Sequence, residues 1–377
     1  MTNPLLDPAP ISPARFERLG VAVASLLETR LEVVLPQAEA VLPLEAAARG
    51  LGRPGLSALN LDTNPYGAIF GRWLAEAGAT VIGLKAADHQ AVRPEAVEKT
   101  LRENPEISLV SFAHAEAATG VANDAAAIAC LAHDHGALLV IDVVASFAAH
   151  EVHIDDWAAD VAVLGPQKAL AGPAGISMAA VSARAWEEMS ANPGAPHDSA
   201  LSLLDWKQRW LDSDKSAIPG TPSPLEIIAL EAALERVFAE GVDHVRRRHR
   251  ACAAASRAGA RALGLAPFAT DADAALVATT LAAPEGLDAR LLVERARAGR
   301  PVALSAGYGE LGRHVLRIDH TGQRARLEVV LEALEALRGA LVDATGSLPE
   351  ALTVAEQAWR AVDEADPEGS THRHRAC

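Results

Sequence analysis

Aromatic side chains are scarce in this chain: they make up 4% of it, with only two tyrosines. A core with so few rings must be built from Ala, Leu and Val, and Ala suits helices packed closely on a sheet. Cysteine is sparse as well. Cys130, Cys252 and Cys377 are an odd number without metal-type spacing, so a reduced, cytoplasmic setting is expected. Positive charge is in deficit: 34 Lys and Arg against 49 Asp and Glu leave a formal net charge of −15. That balance argues against a nucleic-acid or anionic-membrane partner. No apolar run is long enough to span a bilayer, and the first residues lack the basic start and apolar core of a signal peptide.

Two local features run against this background. The basic run Arg246-Arg247-Arg248-His249-Arg250 lies in a helical stretch and is expected to be a solvated face or a subunit contact. His372 and His374 could hold a metal, but they sit in a polar tail from Asp363 onward that is expected to be loose. No metal site is expected.

What is present is a long chain, 377 residues and 50% hydrophobic, enough for a large core and a smaller second one. Residues 1–12 are Pro-rich and read as an N-terminal arm. Pro13 opens a helical pattern reaching to about residue 29, followed by an apolar run at 31–35. Helical patterns then cover 66–78, 94–103 and 124–135. Continuously apolar segments at 79–84, 107–114, 137–142, 161–165 and 176–182 read as strands. Strands that do not alternate belong to a mostly parallel sheet covered on both faces, and the helix–strand alternation predicts an α/β domain. A long helical pattern follows from 225 to about 263, bending near Gly241. Residues 265–345 mix two strands (275–281 and 314–319) with helices at 288–298 and 323–342. The reading is an arm at 1–12, a large domain at 13–255, a small C-terminal α+β domain at 256–345, and an extension at 346–377 with a flexible tail.

Three clusters fall in order at strand ends: His114-Ala115-Glu116 with Thr119-Gly120-Val121, then Asp142, then Gly165-Pro166-Gln167-Lys168. In open α/β sheets ligands bind at the carboxyl ends of strands. A carboxylate there can keep a pyridine nitrogen protonated so that the ring absorbs electrons. A lysine amine can condense with an aldehyde and shuttle a proton. Singly, an Asp ending a strand is often a cap and a Lys a surface charge. Their order and their separation of 26 residues carry the argument.

The stretch from Ser111 to Met189 resembles the core of the class V aminotransferases, in particular the alanine–glyoxylate, serine–glyoxylate and serine–pyruvate group. There H-x-E-x-x-T-G is followed by a strand ending D-x-V-x-S and then by G-S-Q-K. The resemblance implies a fold-type I (aspartate-aminotransferase-like) large domain with a mostly parallel mixed sheet, and pyridoxal 5'-phosphate as cofactor. Lys168 would form the aldimine and Asp142 would pair with the pyridine nitrogen. Val144 and Tyr66 would flank the ring, with Thr119 and Gln167 also on the cofactor. Pro219-Gly220-Thr221-Pro222 resembles the P-x-T-P whose threonine reaches the neighbouring subunit's phosphate, implying a homodimer with active sites at the subunit interface. Arg317, in Leu316-Arg317-Ile318, would bind the substrate carboxylate, a task its planar fork suits.

The chain departs from the family at the phosphate. Where the family has a G-S-G loop opening a helix, this sequence reads Gln37-Ala38-Glu39-Ala40-Val41, placing Glu39 at the serine. A carboxylate ~4 Å from a phosphate charge costs roughly 4 kcal/mol at an effective dielectric of about 20. Ala117-Ala118 replaces a serine pair, no tyrosine stands near Ile218, and the usual Gly-Pro-Gly arm is rewritten at 5–11.

The function implied is transfer of an amino group from a small amino acid (alanine or serine) to a small 2-oxo acid (glyoxylate or pyruvate) through Lys168. The alternative is a degenerate homologue with weak or no cofactor binding, acting as a binding or structural subunit. Cysteine desulfurase chemistry is set aside because residues 301–313 contain no cysteine. Lyase chemistry stays open, since Lys168 and Asp142 serve it equally well.

Overall fold

The computed structural model describes residues 8–63, 65–86, 90–299, 301–341 and 347–365. Ten strands form two sheets: β1 (Glu32–Val34), β2 (Ser57–Asp62), β3 (Thr80–Lys85), β4 (Ile107–Ala113), β5 (Leu138–Asp142), β6 (Val161–Leu164), β7 (Met178–Val181), β8 (Thr279–Ala282), β9 (Leu304–Ala306) and β10 (Val315–Ile318). The first seven make one sheet in the order β1-β7-β6-β5-β4-β2-β3. From β6 through β3 all neighbours are parallel, while β7 and β1 close one edge antiparallel. The apolar runs behind β4, β5 and β6 are buried on both faces almost throughout. Each fully buried Leu or Val there contributes about 1.5–3 kcal/mol.

Helices begin where the sequence supplies caps. Ser12 Oγ accepts the Arg15 amide and Pro13 occupies the first turn of the helix Pro13–Leu26. Asp124 and Ser182 cap Ala125–Asp134 and Ala183–Ala191 in the same way, each cap being worth about 1 kcal/mol. The long helical pattern is two helices, Pro224–Glu240 and Val242–Ala262, divided at Gly241. A second core gathers around the antiparallel sheet β8-β10-β9, with Leu292, Leu316, Leu334 and Cys252 in its interior.

The structure adds elements that the apolar patterns did not predict. β2 lies inside the large sheet, between β4 and β3, and the small sheet has three strands rather than two. Beyond 346 a helix, Leu348–Ala365, packs Ala351 and Ala355 into the second core. The part of the extension from 366 onward, including His372 and His374, lies outside the described residues, as do residues 1–7 of the arm. Among the described residues no group of three acidic, His or Cys side chains could hold a metal, and no helix is long and apolar enough to cross a membrane.

The basic run differs from its expectation. Arg246 pairs with Asp243, Arg247 with Asp363, Arg248 with Glu240 and Arg250 with Glu151. The first three side chains are only 15%, 14% and 19% exposed. Arg247, Arg248 and Arg250 tie the helix Val242–Ala262 to three other parts of the chain, while Arg246–Asp243 is a pair within the helix, so intramolecular pairing rather than a free basic surface accounts for them.

Three buried histidines, His114, His249 and His320, and the part-buried His150 lie within and beside these contacts. The rings of His114 and His150 lie 5.1 Å apart, and His150 Nε2 accepts the Leu276 amide at 3.0 Å. His249 Nε2 accepts the Gly322 amide at 3.1 Å, so its Nδ1–H donates to the Val245 carbonyl at 2.7 Å and the ring is neutral. His320 Nε2 meets Thr279 Oγ1 at 2.8 Å. Burial lowers His114 and His249 to about 4, His320 to about 3, and His150 well below its ordinary value. A lowered histidine stabilises the fold above its unfolded pKa of about 6.5 and withdraws that stability as pH falls toward the folded value. Chemical denaturation at pH 7 and pH 5 is therefore expected to show lower stability at pH 5, the histidines outweighing the opposite effect of buried acids whose carboxyls are raised. His150→Phe should reduce that loss.

Candidate functional site

Because β4, β5 and β6 are adjacent and parallel, their carboxyl ends open side by side. Ala113 of β4 pairs with Asp142 of β5, which pairs with Val163 of β6. The three clusters singled out in the sequence are thereby brought to one place.

Asp142 ends β5 with its carboxylate deep in the site, although part of the residue remains accessible. Its Oδ1 accepts the Val144 amide at 2.8 Å. Burial raises its carboxyl to about 7; Glu116 and Glu39 push the same way, while the Val144 amide and Lys168 pull it back. Glu116 is buried, with Oε1 on the Ala118 amide at 2.8 Å. Burial raises it too, against the pull of Lys168 and Arg317. Tyr66, in the first turn of the helix Pro65–Glu76, is 44% exposed. It lines one small cavity with Asp142, Asn60 and Ser111. Its phenol is raised by burial and by the acids Glu39, Glu116 and Asp142. Tyr66, Asp142, Glu116, Glu39, Lys168 and Arg317 thus share one electrostatic neighbourhood.

Lys168 is half-buried in the turn after β6, where its carbonyl accepts the Ala171 amide at 3.0 Å. Gly322 lies against that turn: a Cβ there, at φ +62°, would stand 3.0 Å from the Lys168 carbonyl. Only glycine is at ease with both conditions. His249 and Arg248 hold the Gly322 peptide from its other side. Thr119 leads into Gly120, at φ +70°, where a Cβ would strike Thr280. Thr280 donates to the Thr119 carbonyl at 2.7 Å, while Thr119 Oγ1 is buried with no hydrogen-bond partner among the described residues.

The other end of the site is built by Glu39. Its Oε2 accepts the amide of Val41, first residue of the helix Val41–Leu51, at 2.9 Å, and its Oε1 accepts from Gln167 Nε2 at 2.7 Å. Gln167 Oε1 is left buried and unpartnered among the described residues. A helix N-terminus attracts anions, and here the anion is a side chain of the protein. The sequence placed Glu39 in the loop; that it turns inward and is held there is visible only in the fold.

Arg317 stands on β10, 8% exposed, with Nε on Ser305 Oγ at 3.0 Å and Nη1 on the Ala117 carbonyl at 3.3 Å. Nη2 meets Asp319, a partner the sequence reading did not single out. Tyr308, whose ring lies 5.1 Å from the guanidinium carbon, leads from Arg317 into a cleft of about 1400 Å³ that Thr119 also lines. Val144 is half-buried beside Asp142. Thr221 is exposed, and the structure does not bring it to this chain's site.

A buried acid raised to about 7 opposes folding when ionised. Between its unfolded value of 3.8 and about 7, the folded state holds the proton more tightly, so stability falls as pH rises through that window. Asp142→Asn, which keeps an oxygen for the Val144 amide, should raise stability at pH 8 by about 1–3 kcal/mol and leave it little changed near pH 4. Thermal melts of the protein without added ligand measure this.

Comparison with known proteins shows the family. The Aminotransferase class-V family profile matches residues 66–308. Pyridoxamine–pyruvate transaminase of Mesorhizobium japonicum is 37% identical over 338 residues, 89% of this chain and 86% of that protein. Serine–glyoxylate aminotransferase of Methylorubrum extorquens is 32% identical over 256 residues, 67% of this chain and 63% of the relative. The crystal structure of pyridoxamine–pyruvate aminotransferase from Mesorhizobium loti superposes with a TM-score of 0.89 at 35% identity, covering 95% of this chain and 93% of that one. The chain belongs to the class-V aminotransferases, a family of pyridoxal-phosphate-dependent enzymes of fold type I.

Proposed function

We propose that this protein moves an amino group between pyridoxamine, the vitamin form without a phosphate, and pyruvate, giving pyridoxal and alanine. The observation that carries the reading is the Glu39 carboxylate, seated on the Val41 amide and on Gln167. The ring end of the site fits the family's cofactor: Asp142 for the pyridine nitrogen, Val144 and Tyr66 for the two faces, and the unpartnered Thr119 hydroxyl for a polar substituent. The phosphate end does not fit, because a second anion would meet Glu39 at the same helix terminus. A 5'-hydroxymethyl group, neutral and able to donate, suits a carboxylate there. The resemblance to a pyridoxamine–pyruvate transaminase supports the same choice.

Bound in this orientation, the ring supplies a sink for the electrons released when a proton leaves the carbon bearing nitrogen. Asp142 holds the proton on the ring nitrogen; being raised only by burial and neighbouring acids, it ionises once a ring cation supplies the missing partner. Lys168 takes the proton from one carbon and returns it to another. Arg317 binds the carboxylate of the 2-oxo acid and sets which face of its carbonyl meets the amine. Thr221 is assigned to the neighbouring subunit's site, which makes the working form a homodimer.

The second reading, a phosphorylated resident cofactor with alanine or serine donating to glyoxylate, is favoured by the likeness to a serine–glyoxylate aminotransferase. Steady-state assays separate the two. Pyridoxamine with pyruvate should yield pyridoxal, followed by its absorbance. Pyridoxamine phosphate should be poorer in kcat/KM by on the order of a hundredfold or more, given roughly 4 kcal/mol of like-charge repulsion at ~4 Å. Glu39→Ser should move that preference toward the phosphorylated form by tenfold or more, and Lys168→Ala should abolish turnover. Equal use of both forms by the unaltered protein defeats the proposal. Absence of turnover with any donor would favour the non-catalytic alternative.

A further inference from the structure

Arg317 comes to the site with part of its capacity already engaged. Three groups of its own chain take up its donors: Asp319 Oδ1 at 2.9 Å from Nη2, Ser305 Oγ at 3.0 Å from Nε, and the Ala117 carbonyl at 3.3 Å from Nη1. A guanidinium has five N–H donors. Those left over match what a single carboxylate takes in a bidentate pair. Asp319 lies just past the end of β10, two residues beyond Arg317, and the two side chains are 9% and 15% exposed. Screening by solvent is weak at such burial. Glu116 adds a second acid within the field of the same guanidinium. Asp319 thus already offsets the charge of Arg317 before any substrate arrives.

We propose that Asp319 is a positioning residue that sets how many carboxylates the pocket accepts: paired with Arg317 from just past the end of β10, it leaves charge and donors for one carboxylate, so monocarboxylic 2-oxo acids enter and dicarboxylic ones are refused. The inference rests on the reading of Arg317 as the carboxylate-binding residue. A second carboxylate on the substrate, placed beside the first, would meet Asp319 and Glu116, both already in the field of Arg317. The same pairing limits how tightly the first carboxylate is held, which favours release of the amino-acid product.

The test uses the full chain with pyridoxamine as donor, or pyridoxamine phosphate should that prove the form turned over. Values of kcat and KM are measured for pyruvate and for 2-oxoglutarate. Asp319→Asn should lower KM for pyruvate more than it changes kcat. It should also raise the ratio of kcat/KM for 2-oxoglutarate to that for pyruvate by roughly tenfold. Asp319→Glu, which restores the charge, should hold the ratio within about threefold of the original, a difference below 1 kcal/mol. If the Asn variant does not fold, as judged by its thermal melt, Asp319→Ser carries the same charge change and the same result is required of it. An unchanged ratio with an unchanged or higher KM for pyruvate overturns the proposal. Arg317→Gln separates the two layers: if it leaves KM for pyruvate unaltered, the reading of Arg317 itself fails. If it raises KM while Asp319→Asn does nothing, only the role of Asp319 fails.

Discussion

A carboxylate held deep at the end of the central strand is the constraint around which the rest of the site is arranged. Asp142 keeps one backbone amide as its partner and sits in the field of two further acids. Such a group is stable only when protonated or when a cation stands against it. Among the described residues no cationic side chain forms an ion pair with it. Lys168 is near enough to be felt and far enough to remain available.

The position of Lys168 in turn depends on the join between the two cores. Its turn is backed by Gly322, whose amide and carbonyl are held by His249 and Arg248 from the helix Val242–Ala262. That helix is fastened by the arginine run to Glu240, Glu151 and Asp363. The strand carrying Arg317 leads directly into the Gly322 turn. A displacement of the second core would thus be felt at Lys168 and at Arg317 together. This is the physical sense in which a surface-looking cluster of arginines supports a site some distance away.

The sequence revealed the parallel strands and the order of the clusters at their ends, because buried strands are continuously apolar and their turns carry distinctive residues. It hid β2, whose Asn60 interrupts the apolar run. Asn60 is nonetheless buried, donating to the Gly67 carbonyl and accepting from Ser111, a satisfaction that exists only in three dimensions. The helix Leu348–Ala365 was passed over although its pattern is amphipathic, with Ala351 and Ala355 buried and Leu352 and Trp359 packed beside them. The motifs named Asp142, Lys168, Gln167 and Arg317, and the structure draws them into one site. The inward turn of Glu39 and the pairing of Asp319 could not be read, since each depends on a partner more than a turn away or on which face of a strand a side chain takes.

The Glu39 carboxylate on its helix terminus has one consequence for how the molecule works over time. A phosphate held by backbone amides is a mooring: the ring it carries can change its chemical state many times without leaving the protein. With that berth filled by a side chain, a ring bound as proposed would be held by its nitrogen, its faces and its covalent link alone. On that reading the vitamin would be a traveller rather than a resident, entering and leaving once per cycle.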